Sequence, residues 1–205
     1  HSDPDVKNCL TYLRNRGITH RDLWYFKLGT AVTGKFRRRI IIPSFDSEGS
    51  LNYFSSRSID DNSKFKYVNS KASKSKIIFN EINVDWNSEI TIAEGPFDLF
   101  KSNQNATCLL GSGINENSYL FKRIVANKTP VLLALDSDMR SKTIKIAKLL
   151  MDYDCKVRII NLGSFSDVGE MTKEKFEEAR EKAALWSRLS SIKERISSIR
   201  TGSLL

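Results

Sequence analysis

Carboxylates stand at the ends of two apolar runs. Ile90-Thr91-Ile92-Ala93 is followed by Glu94, with Asp98 one helical turn beyond, and Val131-Leu132-Leu133-Ala134-Leu135 is followed by Asp136 and Asp138. A further acid, Asp167, comes after the run Lys156 to Leu162. Hard oxygen donors suit Mg²⁺ or Mn²⁺, and a site that supplies only a few of them leaves coordination positions for substrate phosphates. An Asp-x-Asp pair on extended backbone sends both carboxylates to one side, because side chains alternate along a strand. One such pair is commonplace on a surface, whereas two acid-bearing strand ends in one sheet are not. Helix N-capping is the competing assignment for Glu94 and Asp98.

The elements that must position these acids alternate regularly. Strand Ile90 to Ala93 leads to a helix from Pro96 to about Lys101, strand Ala106 to Leu110 to a Gly111-Ser112-Gly113 turn and a helix around Asn117 to Val125. Strand Val131 to Leu135 leads through Asp136-Ser137-Asp138 to a helix with Ile144, Ala147, Leu149, Leu150 and Met151 available for its inner face. Such alternation predicts right-handed crossovers and a parallel sheet of at least four strands, an α/β fold with the acids at its C-terminal edge. Thr172 caps a last helix whose apolar positions Leu185, Leu189, Ile192, Ile196 and Ile199 make one stripe, which packs on its own domain or docks a partner. The expected divisions are a basic α+β unit over 1–88, the α/β unit over 89–171 and a C-terminal helix over 172–205.

The chain of 205 residues, 40% hydrophobic and 28% charged, has the composition of a folded globular protein. No apolar run reaches the ~18 residues that a membrane span requires, so no membrane partner is expected. Cys9, Cys108 and Cys155 lie far apart without a C-x-x-C pair, which fits reduced core thiols in a cytoplasm and not a zinc ribbon. The opening His1-Ser2, without methionine, looks like a tag remnant on an excised fragment. Residues 1–88 carry 15 basic against 9 acidic side chains, while residues 89–171 carry 10 of each. A polyanion held by the first part and processed by metal in the second suits that division, although a solvated basic surface has the same composition.

Asp3-Pro4 starts a helix that Gly17 stops, and a second short helix follows from Thr19. Arg37-Arg38-Arg39 then leads the strand Ile40 to Phe45, Asp46-Ser47-Glu48-Gly49 turns it, and Leu51 to Ser55 returns as its hairpin partner, with Arg57 just past it. Lys64, Lys66, Lys71, Lys74 and Lys76 follow, interleaved with Phe65 and Tyr67. Cations with rings between them hold phosphates while the rings stack on bases.

Ile92-Ala93-Glu94-Gly95-Pro96-Phe97-Asp98 and Leu135-Asp136-Ser137-Asp138, each at a strand end, resemble the Toprim domain of topoisomerases, some nucleases and DnaG-type primases. Tyr12 to Ile18, Phe26-Lys27-Leu28-Gly29, Arg39-Ile40-Ile41-Ile42-Pro43, the Phe54-x-x-Arg57 step and Lys66-Tyr67-Val68-Asn69-Ser70 are similar to the N-terminal subdomain of the primase catalytic core. Compactness and Asp167-Val168-Gly169-Glu170-Met171 look most like a bacteriophage primase. The resemblance implies synthesis of RNA primers from ribonucleoside triphosphates on single-stranded DNA at the start of replication, in the cytoplasm of a host cell, with a replicative helicase as partner through other regions. It implies Glu94, Asp136 and Asp138 as catalytic metal ligands for Mg²⁺ or Mn²⁺, with Asp98 and Asp167 completing or orienting the site. It also implies Lys66, Asn69, Lys76 and Arg57 as nucleotide-binding residues and Arg37, Arg38 and Arg39 as part of a DNA track. Met139-Arg140-Ser141 departs from the family's small Ala-Gly pair, and Gly169 stands where a second aspartate is usual. Another Toprim enzyme, or a nucleic-acid-binding module without catalysis, is the alternative.

Overall fold

Asp3 opens the first helix. In the computed structural model, which describes residues 2–111, 113–187, 189, 190, 192, 193 and 196, helix α1 spans Pro4–Asn15, and the Asp3 carboxylate accepts from the N–H groups of Asp5 and Val6 at 2.8 and 3.2 Å. These bonds satisfy two of the donors that a helix start leaves without partners. A reciprocal cap begins α2 (His20–Tyr25): the Thr19 N–H donates to Asp22 at 2.8 Å, and the Asp22 N–H donates to Thr19 Oγ1 at 3.2 Å.

The chain divides into two compact units, 1–83 and 84–205. In the first, β1 (Arg39–Phe45), β2 (Leu51–Ser58) and β3 (Tyr67–Asn69) form an antiparallel sheet in that order. The turn between β1 and β2 is organised by Asp46, whose Oδ1 accepts from the N–H groups of Glu48 and Ser50, and by Gly49 at a φ of 84°. Buried Ile40, Ile42 and Tyr53 alternate with more exposed neighbours, as a one-faced sheet requires. Two details differ from the sequence reading. Arg57, expected just past the returning strand, lies within β2, opposite Ile40 and Tyr67, and the segment from Tyr67 to Asn69 adds a third strand that the sequence reading did not include.

In the second unit, β4 (Ile90–Ala93), β5 (Ala106–Cys108), β6 (Val131–Ala134) and β7 (Val157–Ile159) form the expected parallel sheet, in the order β5-β4-β6-β7. Every residue of β4 and β6 is buried, which explains their unbroken apolar sequence. Helices α3 (Pro96–Lys101), α4 (Tyr119–Asn127) and α5 (Arg140–Asp152) connect the strands. Leu132, Ala134, Ile160, Leu162, Val168, Met171 and Phe176 make one buried cluster.

The helix that starts at Thr172 is shorter than its sequence suggests. α6 spans Lys173–Lys182, then Leu185 forms a bridge to Arg158 of β7 and Trp186 N–H donates to Val157 O at 2.7 Å. The Arg158 guanidinium takes the carbonyls of Arg180 and Ala183, so the sheet edge, and not a fourth helical turn, satisfies the backbone there. Leu189, Ile192 and Ile196 are exposed; Ile199 lies outside the described residues. The three cysteines are buried and unpaired. Among the described residues no helix is long and apolar enough to cross a membrane.

Candidate active site

The strand order fixes where a ligand belongs. The chain leaves β4 for β5 on one side and reaches β6 on the other, so the connections diverge between β4 and β6. Open α/β sheets bind ligands in the crevice at such a switch point, beyond the C-terminal strand ends. Ala93 of β4 pairs with Ala134 of β6. Glu94 and Asp136, one and two residues further, therefore flank that crevice.

These two acids are poorly satisfied. Glu94 Oε2 and Asp136 Oδ1 are buried and have no hydrogen-bond partner among the described residues. Burial, followed by the charges of Asp98, Glu94, Asp167 and Asp138, pushes the Asp136 carboxyl from 3.8 up to about 7. Glu94 Oε1 accepts from Lys142 Nζ of α5 at 3.2 Å. Asp138 is exposed. It lies in a 3₁₀ turn over Ser137–Met139, begun by Asp136 at φ −57° and ψ 150°. The extended backbone expected for Asp-x-Asp is thus replaced by a turn, because Met139 N–H donates back to Asp136 O and α5 starts at once. The shared direction inferred from strand alternation does not apply.

Asp98 and Asp167 are committed to backbone. Asp98 Oδ2 accepts from Gly95 N–H at 2.9 Å, which caps α3, and its Oδ1 accepts from Gly169 N–H at 3.1 Å. Capping, the competing assignment, is what Asp98 does; Glu94 makes no cap bond. Burial is the largest cause lifting the Asp98 carboxyl to about 6, and the nearby Asp167 charge adds to it. Asp167 caps the following 3₁₀ turn through Glu170 N–H at 2.9 Å. The Asp98 clamp also accounts for Gly169: a Cβ there would lie 2.9 Å from Asp98 Oδ1 and 3.0 Å from Asp167 Oδ1. A side chain at residue 169 would force Asp98 or the turn to shift.

No group of three or more metal-ligating His, Cys, Asp or Glu side chains converges among the described residues. The donor chemistry nevertheless fits a hard divalent cation: oxygen donors only, two of them buried without partners, in a field that already resists further negative charge.

In the N-terminal unit the arginine triplet divides. Arg37 and Arg38 both pair with Asp5, Arg38 at 2.7 Å, and Arg38 Nε also donates to Asp60 at 3.0 Å. Arg39 is 8% exposed, its guanidinium donating to the carbonyl of Phe65 at 2.7 Å and to those of Ser56 and Lys66 at 3.4 Å. It ties β1 to the segment before β3 and lies off any surface track. Lys66 Nζ donates to Asp61 O at 2.6 Å, Asn69 Oδ1 accepts from Ser55 Oγ at 2.8 Å, and Lys76 is exposed. The Arg57 guanidinium lies 4.9 Å from the Tyr67 ring centroid, with Nε buried and without a hydrogen-bond partner among the described residues.

Lys142 is the residue the sequence reading passed over. It lies one helical turn beyond Asp138, in the first turn of a helix whose opening residues include Arg140 and Lys142 and no acid. Cations at a helix start oppose the macrodipole, and that misplacement was the available signal.

Comparison with known proteins finds similar sequences and folds. Residues 30–84 match the family model described as DNA primase catalytic core, N-terminal domain. The chain is similar to the DNA primases of Clostridium acetobutylicum, 25% identical over 197 residues that cover 87% of this chain, and Mycoplasma genitalium, 30% identical over 145 residues that cover 66%. It spans about a third of the first relative (32%) and a quarter of the second (24%). Among solved structures, the Escherichia coli primase catalytic core superposes with a TM-score of 0.74 at 19% identity, covering 97% of this chain and 79% of that one. A DnaG primase catalytic domain bound to single-stranded DNA gives 0.74 at 19% identity, with 90% and 74% covered. A chain from the structure of bacteriophage T7 lagging-strand DNA polymerase interacting with primase domains gives 0.63 at 19% identity, with 85% and 92% covered. The fold is therefore that of the DnaG catalytic core. Residues 30–84 thus match the N-terminal domain family of the primase core, and the chain as a whole is similar in sequence to DNA primases and in fold to the DnaG core.

Proposed function

We propose that the chain is the Toprim-containing RNA polymerase core of a phage-type primase, which synthesises short RNA on single-stranded DNA. The observation that carries the proposal is the pair of buried carboxylate oxygens, on Glu94 and Asp136, without hydrogen-bond partners among the described residues and flanking the switch point of a DnaG-core sheet. Nucleotidyl transfer joins a 3′-hydroxyl oxygen to the α-phosphorus of a ribonucleoside triphosphate and breaks the bond to pyrophosphate. The substrates are polyanions, and the crevice is lined with acids, so a divalent cation has to lie between them. Glu94, Asp136 and Asp138 would hold Mg²⁺ or Mn²⁺, which supplies charge neutralisation for the triphosphate. Asp98 and Asp167 orient the site from outside by fixing the start of α3 and the turn at Gly169.

The N-terminal unit supplies cations for template and nucleotide, with Arg57, Lys66, Asn69 and Lys76 as the nucleotide-facing set and Arg37 and Arg38 at the edge of the DNA track. Arg57 is the best placed of these for a stacked base or phosphate, since its charge is presented beside the Tyr67 ring. Likeness to a phage replication structure over 92% of its chain supports the compact phage type, and a helicase joined through other regions is the expected partner.

Incubation of the chain with single-stranded DNA, labelled ribonucleoside triphosphates and Mg²⁺ or Mn²⁺ tests this. Labelled oligoribonucleotides that depend on template are the expected product. Nicking of the DNA without RNA synthesis would assign the site to a nuclease, and binding without either reaction to a non-catalytic module.

A further inference from the structure

The Lys142 ammonium occupies the acid edge in a way that the fold does not require. Its Nζ lies 3.2 Å from Glu94 Oε1, and both side chains are largely shielded from water, with 27% and 19% of their areas exposed. The Arg140 guanidinium, two residues earlier on α5, lies 5.5 Å from the Trp186 ring centroid. Lys142 stands in the first turn of α5, where a positive charge opposes the helix dipole, so its position has to be offset by the acids it faces. While Glu94 turns one oxygen to Lys142, its other oxygen and Asp136 Oδ1 remain buried without partners, and no three acids converge among the described residues.

We infer that Lys142 is a tethered counter-ion that competes with the divalent cation for Glu94, and that exchange of the ammonium for the metal completes the ligand set. The inference rests on the metal reading given above. A lysine suits this task better than an arginine: it presents one compact charge on a flexible four-carbon stem, and it swings to water without breaking a bidentate fork. In the metal-free protein the ammonium limits repulsion among Glu94, Asp136 and their neighbours. Its release on metal binding makes it available to an anionic substrate at the same edge. Lys142 is thus a positioning residue, acting through Glu94.

Titration of Mn²⁺ into the full chain, with free ion followed by electron paramagnetic resonance, tests the exchange without reference to activity. Lys142→Gln removes the competitor and is expected to bind Mn²⁺ on the order of tenfold more tightly than the parent. Lys142→Arg, which keeps the charge, is expected to bind no more tightly than the parent. Without metal, Lys142→Gln should melt at a lower temperature, and saturating Mn²⁺ should raise its midpoint by more than it raises the parent's. If Lys142→Gln proves too unstable to titrate, Lys142→Met is measured in the same way. Equal or weaker Mn²⁺ binding by the neutral variants overturns the inference and leaves the metal reading intact. Failure of the parent chain to bind Mn²⁺ overturns the metal reading, and the inference with it.

Discussion

In the N-terminal unit Arg37 and Arg38 converge on Asp5, Arg38 reaches Asp60 as well, and Arg39 is buried against three carbonyls. In the C-terminal unit Glu94, Asp98, Asp136, Asp138 and Asp167 follow strands of one sheet, two carboxylate oxygens are buried without hydrogen-bond partners among the described residues, and the Asp136 carboxyl is lifted to about 7. The first cluster already has its partners within its own unit, and Arg39 in it holds structure together. The second has the single ammonium of Lys142 paired with Glu94 and leaves other buried carboxylate oxygens unanswered, a state that costs folding free energy and persists where a ligand will supply what is missing. A run of like charges in the sequence therefore says less about function than whether the fold has already answered it.

The sharpest way to break the contrast is to substitute one residue from each cluster. Asp136→Asn removes a carboxylate from the crowded edge and keeps its shape. Primer synthesis should fall by at least ~10²-fold, because electrostatic stabilisation at the reacting phosphate is lost. The melting temperature should stay level or rise, because the substitution also relieves repulsion. The pH dependence of stability gives the same information. The folded protein holds a proton on Asp136 up to about 7, whereas the group ordinarily ionises near 3.8. Between those values the folded state binds more protons, so metal-free stability is full below the lower value, declines as pH rises toward 7, and levels off above it. Asp136→Asn should flatten that slope, as thermal melts across the range will show.

Arg39→Met should behave in the opposite way. It leaves the carbonyl of Phe65 with the Ser63 hydroxyl but without the guanidinium, and removes the tie between β1 and the segment before β3. A loss of about 2–3 kcal/mol is expected in denaturant unfolding, with DNA affinity at saturating folded protein little changed. A large fall in DNA affinity in a folded Arg39→Met protein would return Arg39 to the DNA track and erase the contrast between the clusters.

How much of this was legible beforehand differs between fold and site. The parallel sheet was readable because Ile90 to Ala93 and Val131 to Ala134 are short, unbroken apolar runs that end on turn-forming acids, a pattern set by burial on both faces. Tyr67 to Asn69 was not, since three residues with partly exposed side chains carry no period; their pairing is imposed by β2. The last helix was overestimated at Ala183 because its stripe continues, while Arg158 draws the preceding carbonyls to the sheet edge. At the candidate site, the placement of Glu94 and Asp136 beyond neighbouring strand ends was readable from position alone. Nothing local distinguishes Asp98 from them, and only the fold reveals that Gly95 and Gly169 use both of its oxygens. Arg39 misled for the same reason: next to Arg37 and Arg38 it reads as surface charge, and its burial depends on a loop more than twenty residues away.

Gly169→Ala sharpens the comparison at the border between structural and chemical acids. The new Cβ would sit 2.9 Å from Asp98 Oδ1, so either the clamp on the Gly169 N–H opens or the turn shifts. Stability should fall by about 1–2 kcal/mol, measured by denaturant unfolding. If Asp98 orients the site from outside, Mn²⁺ affinity should weaken in step; an unchanged affinity would show that the clamp serves the fold alone.

Arg140→Ala carries the smallest expected effect. The guanidinium lies over the Trp186 ring at 5.5 Å, beside a groove of about 500 Å³ walled by Leu133, Ile160, Leu162 and Leu185. Stacking of this kind at a partly exposed position contributes about 0.5–1 kcal/mol, and the change should appear as a small drop in melting temperature with a gain in Trp186 fluorescence quenching by solvent. Mn²⁺ affinity should rise less than in Lys142→Gln, because the Arg140 charge is directed at the ring and Lys142 faces Glu94. Were Arg140→Ala to strengthen Mn²⁺ binding as much as Lys142→Gln, the acid edge would be responding to the total charge of α5 and not to one tethered ammonium.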